Sequence, residues 1–593
     1  MGDSGPRLQD DHRARSRDRA QSRGPLLVAA LAMIVYGLCF GHGYTLDDNA
    51  ALLRNPVVTG DVGLMEVWIR EFWGRPISDL DWSSSYRPLT TLSFALEHRW
   101  TQDPWLHHGV NVMLYAALCA QLTWVAARYA SPRIGFWTGA LFAVAPVHVE
   151  NVASIVGRAD VLAASAGLLA FTLLMPVSAG PSSRSRPSRR RSLGNFLPSP
   201  SFRAIAGGLI YLGGMLCKES IALLPGIILG WAILLTLAGP RGRDPGQLRT
   251  TWASALFLAG CGVAYLLARD HWLSVDLPDH FVGADNPLAS LNTLPRVGAS
   301  LMILGRYVRL TVVPAHLCSD HTYGDIVPSG FFSGLNDVDS WLGMLVALAL
   351  ACATVWATLS ARREGMSLKT IALGMWASAF IAYALIGHWI IPISVVLAER
   401  LMCWPTVWVA LASAASIRCL IERYPGHHAR GAILGAVVMV YGSRSMVRSW
   451  DWRDSLALHT SSASHCPSAV HNRIALAKVQ SEVGQHAEAL WNFALAGALR
   501  TSFPQPPPSL PAFDAEIDGM SIHERLTNLR VLLAIETTGE WERFLIGMNS
   551  FLRQEDWLGA RDVYLRYADT WDLPEHTPWA TSTSDPQRPN SRL

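Results

Sequence analysis

Apolar runs separated by short charged loops recur along most of this 593-residue chain. They fall near 25–40, 109–129, 134–148, 160–177, 203–217, 220–238 and 251–268, and again near 340–359, 370–391, 401–420 and 430–444. About 20 apolar residues cross a bilayer as a helix, and fewer suffice where the bilayer is thin or locally deformed. The pattern predicts a mainly α, polytopic membrane protein of about eleven transmembrane helices. A further run, 298–314, is apolar enough to cross. Its crossing would put the basic loop with Arg362, Arg363 and Lys369 on the wrong side, so it is read as re-entrant or interfacial.

Charge sets the orientation. Residues 1–24 are polar and arginine-rich and read as a disordered cytoplasmic tail. The span after them lacks a small-residue cleavage site and reads as an uncleaved anchor. The multi-span domain then runs over 25–445, with non-cytoplasmic segments at 41–108 and 269–339. The loop 41–108 is rich in tryptophan (Trp68, Trp73, Trp82, Trp100, Trp105), and lies flat in the interface or forms a small packed unit. From Asp451 the chain turns soluble. Ser468 to Arg500 holds a helical pair with a turn glycine, Gly484, whose length and small residues match a tetratricopeptide (TPR) unit. Residues 504–511 are proline-rich and break the array, so 451–572 reads as a short TPR-like region capped by degenerate helices. The last stretch, 573–593, reads as disordered.

Composition narrows the choices. Charged residues are 16% of the chain, against about 25% in soluble domains, and the mean hydropathy is +0.22. The net charge is only +3, with arginines in short blocks between apolar runs, which gives no support to nucleic-acid binding. Nine cysteines without a C-x-x-C pair exclude a zinc ribbon and a dense disulfide framework. Cys318 and Cys466 are the one plausible pair outside the spans. There is no P-loop, G-x-G-x-x-G or H-E-x-x-H, and no clear inverted repeat of the transporter kind.

Polar clusters flank the spans on the non-cytoplasmic side. Asp47-Asp48 follows the first span, and beyond it come Tyr86-Arg87-Pro88, His148-Val149-Glu150, Arg158-Ala159-Asp160, Lys218-Glu219 and Glu399-Arg400. Each has a structural reading: a helix cap at Asp48, ion pairs at Arg158 and Asp160 or Glu399 and Arg400, a snorkelling Lys218, a core His148. Charged groups beside spans are costly, however, and their shared side suggests a site. The chemistry that suits it is transfer from a lipid-borne donor. Arginines hold a phosphate at the headgroup level, a carboxylate deprotonates an acceptor hydroxyl, and Arg or Lys neutralises the leaving phosphate.

These residues resemble the transmembrane and TPR protein O-mannosyltransferases (the TMTC family), of the polytopic glycosyltransferase-C (GT-C) fold. The matching text is Leu46-Asp47-Asp48-Asn49, Tyr86-Arg87-Pro88-Leu89, Phe142 through Glu150, Gly157-Arg158-Ala159-Asp160, Lys218-Glu219-Ser220, Ala284-Asp285-Asn286-Pro287, Ala398-Glu399-Arg400 and Trp450 through Asp454. The resemblance implies mannosyl transfer from dolichyl phosphate mannose to Ser or Thr of lumenal proteins, in the endoplasmic reticulum membrane, with the N-terminus cytosolic and the TPR region lumenal. It makes Asp47 and Asp48 the acidic catalytic motif and Arg400 the arginine that meets the lipid phosphate, with Arg87, Arg158 and Lys218 as weaker phosphate candidates. His148, Glu150, Asp160, Glu219, Asp285 and Glu399 would support them. It implies no metal, no cofactor, and an inverting single displacement. The implied partners are the lipid donor, membrane lipids and an acceptor protein docked by the TPR-like region. Two other readings remain: a polyprenyl-phosphate-sugar transferase of a bacterial plasma membrane, and a non-enzymatic TPR membrane scaffold.

Overall fold

The computed structural model describes residues 23–79, 85–175, 200–239, 245–272, 291–321, 337–389, 395–423 and 430–485, with the single positions Asn286, Leu288, Ile326, Ile393, Glu488, Ala489, Asn492 and Ala496. Of the expected tail 1–24, residues 1–22 lie outside them and Arg23 and Gly24 begin the first helix; the expected tail 573–593, the proline-rich 504–511, the helices after 500 and most of 269–290 also lie outside them.

The described residues are helical, without a named strand. In order they are α1 (Arg23–Gly41), α2 (Pro88–His98), α3 (Pro104–Tyr129), α4 (Pro132–Ala143), α5 (Arg158–Leu174), α6 (Pro200–Cys217), α7 (Leu224–Leu237), α8 (Pro245–Trp272), α9 (Thr293–Val312), α10 (Val338–Glu364), α11 (Leu368–Ala384), α12 (Cys403–Arg423), α13 (Arg430–Asp451), α14 (Ser455–His465) and α15 (Val470–Glu482). Local chemistry sets many starts. Proline occupies the first position of α2, α3 and α4, where its missing N–H costs nothing. Asp337, Ser367 and Asp454 cap α10, α11 and α14 by accepting from backbone N–H groups.

Consecutive helices pack in pairs: α3 on α4, α5 on α6, α7 on α8, α9 on α10, α11 on α12. α12 lies at the centre, touching α3, α4 and α5 as well as α11. Trp404 and Trp408 fill that centre, with the Trp408 ring 4.8 Å from Phe171 edge-on. α10 is an outer helix: only 11% of its apolar window is buried, and Leu345, Leu348, Val355 and Trp356 face outward, as lipid-facing residues do. α9 closes on α10 where Gly305 meets the Asp339 carbonyl and Gly343 the Leu301 carbonyl, with no room for a Cβ at either.

Among the described residues, six helices are long and apolar enough to cross a membrane: Arg23–Gly41, Pro104–Tyr129, Glu219–Leu237, Gly246–Arg269, Val338–Glu364 and Glu399–Glu422. A seventh results if Pro146–Ala153 and Arg158–Leu174, bent by 110° at their junction, form one broken span. The difference from the expected eleven has physical causes. The apolar run 134–148 is interrupted: α4 stops at Ala143 and the chain turns at Pro146. Phe202–Cys217 and Leu368–Ala384 are apolar but short. α13 is amphipathic and charged, with Arg444, Arg448 and Asp451 in its second half.

The loop 41–108 builds a small core of its own. Leu52, Val57, Val58, Val67 and Phe72 pack with Phe94 of α2 and with Ile155 and Val156 from the turn before α5. Trp68, Trp100 and Trp105 remain exposed on it. Of the expected repeat pair, α15 is described and is followed by Gly484 in the left-handed region (φ 83°), while most of the second helix lies outside the described residues.

Candidate active site

The C-terminal ends of α1 and α6 and the N-terminal ends of α3, α5 and α12 meet at one end of the bundle, and the charged clusters meet there with them. After α1 the chain turns sharply through Leu46, whose φ of 49° is strained for a leucine. The next residue is Asp47. It is half-buried, and its carboxylate makes no hydrogen bond or ion pair among the described residues. Asp48 is the opposite case. It is fully buried; Oδ2 accepts from Thr45 N at 3.1 Å and Oδ1 from Val156 N at 3.0 Å. Asp48 thus ties the first loop to the turn before α5. Burial pushes its carboxyl up to about 7, against the pull of those two N–H donors.

Three cations lie close to one another at the same end of the bundle. Arg400 gives both its guanidinium and its backbone N–H (2.8 Å) to buried Glu150, while Asn151 Nδ2 donates to the Arg400 carbonyl at 2.9 Å. The charges of Asp47 and Asp160 also reach Arg400. Lys218, in the turn between α6 and α7, donates to Asp160 at 2.6 Å. Burial lowers the Lys218 ammonium and Asp160 opposes that, while the charges of Arg87 and Arg400 lower it further. Thr90 of α2 donates to the Cys217 carbonyl at 3.1 Å and so fixes that turn beside Arg87. Arg87 lies over the Phe72 ring at 4.7 Å, and its buried Nε has no hydrogen-bond partner among the described residues. The arrangement is one free carboxylate whose charge reaches Arg400, with Lys218 and Arg87 beside that arginine, and of the three cations Arg87 is the least engaged.

Arg158 is placed differently. All five of its N–H donors are spent inside the protein: Nε on Asn111, Nη1 on Ser93 and Glu97, Nη2 on Glu97 and the His107 carbonyl. No donor is left for a phosphate, and the side chain is fully buried. Arg158 is therefore a pillar under the site. The sharp bend before it needs Gly157, because a Cβ there would sit 2.6 Å from the Asn151 carbonyl oxygen. His148 is also a clamp: Nδ1 meets Tyr115 Oη at 2.8 Å and Nε2 meets Thr406 Oγ1 at 2.8 Å, pinning this turn to α12. Glu219 pairs loosely with Arg269 at 3.4 Å. Glu399 is fully buried and accepts from Cys318 N at 2.6 Å. Asp285 lies outside the described residues. Glu97 and Asn111, which hold Arg158, carry no sequence signal, because both contacts depend on how distant helices pack.

The chain is 26% identical over 441 residues to the mouse protein O-mannosyl-transferase TMTC3, a match covering 74% of this chain and 46% of that protein. It is 26% identical over 517 residues to Drosophila Tmtc3 (78% and 53%) and 24% identical over 506 residues to F38B6.6 of Caenorhabditis elegans (84% and 65%). The chain is a relative of the TMTC proteins. It spans about half the length of the curated TMTC relatives it matches. No protein-family model matches it, and no solved structure does.

Proposed function

We propose that this membrane protein transfers mannose from dolichyl phosphate mannose to Ser or Thr hydroxyls of proteins in the endoplasmic reticulum lumen. The observation that carries the reading is the half-buried carboxylate of Asp47, without a hydrogen bond or ion pair among the described residues, whose charge reaches Arg400, with Lys218 and Arg87 grouped around that arginine. The names of its relatives, protein O-mannosyltransferases, supply the sugar and the acceptor class.

In this reading Asp47 takes the proton of the acceptor hydroxyl. The hydroxyl oxygen attacks the anomeric carbon, and the bond from that carbon to the phosphate oxygen breaks. The electron pair leaves with the dolichyl phosphate, whose growing charge Arg400, Lys218 and Arg87 neutralise. The displacement is single and inverts the anomeric centre. Asp48 does not touch the substrate and positions Asp47. The GT-C fold, the full set of eleven crossings, a cytosolic N-terminus and an acceptor docked on the TPR-like region belong to the same proposal.

The test is transfer of labelled mannose from dolichyl phosphate mannose to acceptor polypeptides in microsomes holding the wild-type protein. Glucosyl and undecaprenyl donors would run in parallel. Transfer from the mannosyl dolichyl donor alone supports the reading. Transfer only from an undecaprenyl donor moves it to the bacterial class, and no transfer from any donor by folded protein overturns it.

A further inference from the structure

Away from the charged cluster, the segment after α9 and the connection between α14 and α15 come together on a second group of reactive side chains. Cys318, His321 and Cys466 lie with one donor atom each within 4.8 Å of one another, and none is more than 1% exposed. We propose that these three residues form a zinc site joining the segment after α9 to the helices α14 and α15.

The spacing of the donors fits the metal. Zn–S bonds of about 2.3 Å and Zn–N bonds of about 2.0–2.1 Å at a tetrahedral angle set sulfur and nitrogen about 3.5 Å apart. Cys466 Sγ and His321 Nδ1 are 3.6 Å apart. The surroundings have the outer shell that such sites use. The other ring nitrogen of His321 faces the Glu399 carboxylate at 4.0 Å, and Asn472 Nδ2 points at Cys318 Sγ from 3.1 Å. The scaffold is fixed independently of the metal. Cys318 N donates to Glu399, Ser319 and Ser462 hydroxyls are 2.8 Å apart, and His471 pairs with Asp320 at 3.3 Å. Zinc would displace the two thiol protons, including the one Cys318 directs at the Asp320 carbonyl at 2.8 Å, and two thiolates would balance its charge. A disulfide between Cys318 and Cys466 would use only two of the three groups gathered here. With three protein ligands, the fourth position of the tetrahedron falls to a water. The site would brace Glu399, the neighbour of Arg400, from behind.

The experiment measures metal content and thiols of the full chain, purified in detergent without chelator. About one zinc per chain is expected in the wild type and in Cys352→Ser, whose thiol is exposed on α10. A loss of at least fivefold is expected in Cys466→Ser and in His321→Ala. Should those variants fail to fold, the wild type still decides: a mercurial reagent must release the zinc, and cobalt put in its place must show a thiolate charge-transfer band. No metal, with seven thiols counted in denaturant (nine cysteines less two), means a Cys318–Cys466 disulfide and overturns the proposal. No metal with all nine thiols overturns it as well.

Discussion

Glu150 holds Arg400 at two points, across 250 residues of chain: its Oε1 accepts from the guanidinium and its Oε2 from the Arg400 backbone N–H. The Glu150 side chain is only 1% exposed, whereas the Arg400 side chain keeps 21% of its surface open. One carboxylate thus fixes both the direction of the guanidinium and the start of α12. Glu150→Gln keeps an acceptor for the backbone N–H but removes the charge that orients the guanidinium. We expect the donor KM to rise about tenfold, equivalent to about 1.4 kcal/mol, with a smaller change in kcat. Glu150→Ala leaves the arginine unpaired, which costs about 3–5 kcal/mol for buried pairs, so little folded protein should accumulate. Donor titrations at equal protein abundance check the first point; an unchanged KM in Glu150→Gln would remove Arg400 from the phosphate.

The two adjacent aspartates should separate cleanly. Asp47→Asn deletes an unpaired carboxylate and no hydrogen bond, so thermal stability should hold while transfer falls by about 10²–10⁴-fold. Asp48→Asn cannot accept from both Thr45 and Val156 without turning its amide toward one of those N–H groups. Stability should drop by about 1–3 kcal/mol and transfer by less than in Asp47→Asn. Equal losses of transfer in the two variants at equal stability would refute the assignment of the base.

Much of the helical layout is legible in the sequence, because length and apolarity alone select spans such as Pro104–Tyr129 and Val338–Glu364. The charged motifs that meet at one end are legible too, since each is a polar cluster beside an apolar run. What the sequence hides are relations set by packing. Asp47 and Asp48 look equivalent until Val156, 108 residues on, takes one of them. Arg158 reads as a phosphate ligand until Glu97 and Asn111 consume its donors. Cys318 and Cys466 stand out as a pair in the sequence, but His321 does not join them there, because 145 residues separate it from Cys466.

Asp48 also gives stability a pH dependence. In the folded protein its carboxyl titrates at about 7, and in the unfolded chain near the ordinary 3.8. Its folded value is raised, so its contribution to stability is fully present below pH 3.8 and is lost as pH climbs through about 7. Asn at this position carries no such dependence. The melting temperature of wild type minus that of Asp48→Asn should therefore fall steadily between pH 4.5 and 7.5, measured in one detergent. A difference that stays flat across this window would mean the carboxyl is not held as described.

Arg158 offers the sharpest test of a pillar against a ligand. Lysine at this position keeps the charge but has three donors for the five acceptor contacts now made, and cannot fork across Glu97. Arg158→Lys should therefore cost about 2–4 kcal/mol of stability, since it leaves buried acceptors unmet. Glu97→Gln should cost a similar amount, because it removes the charge facing a fully buried guanidinium. As the two side chains form one unit, the double variant should cost clearly less than the sum, with a coupling of about 1–3 kcal/mol. In whatever folded fraction remains, the donor KM should match wild type, because Arg158 has no N–H to give a phosphate. A raised KM in Arg158→Lys at intact stability would instead place this guanidinium on the donor.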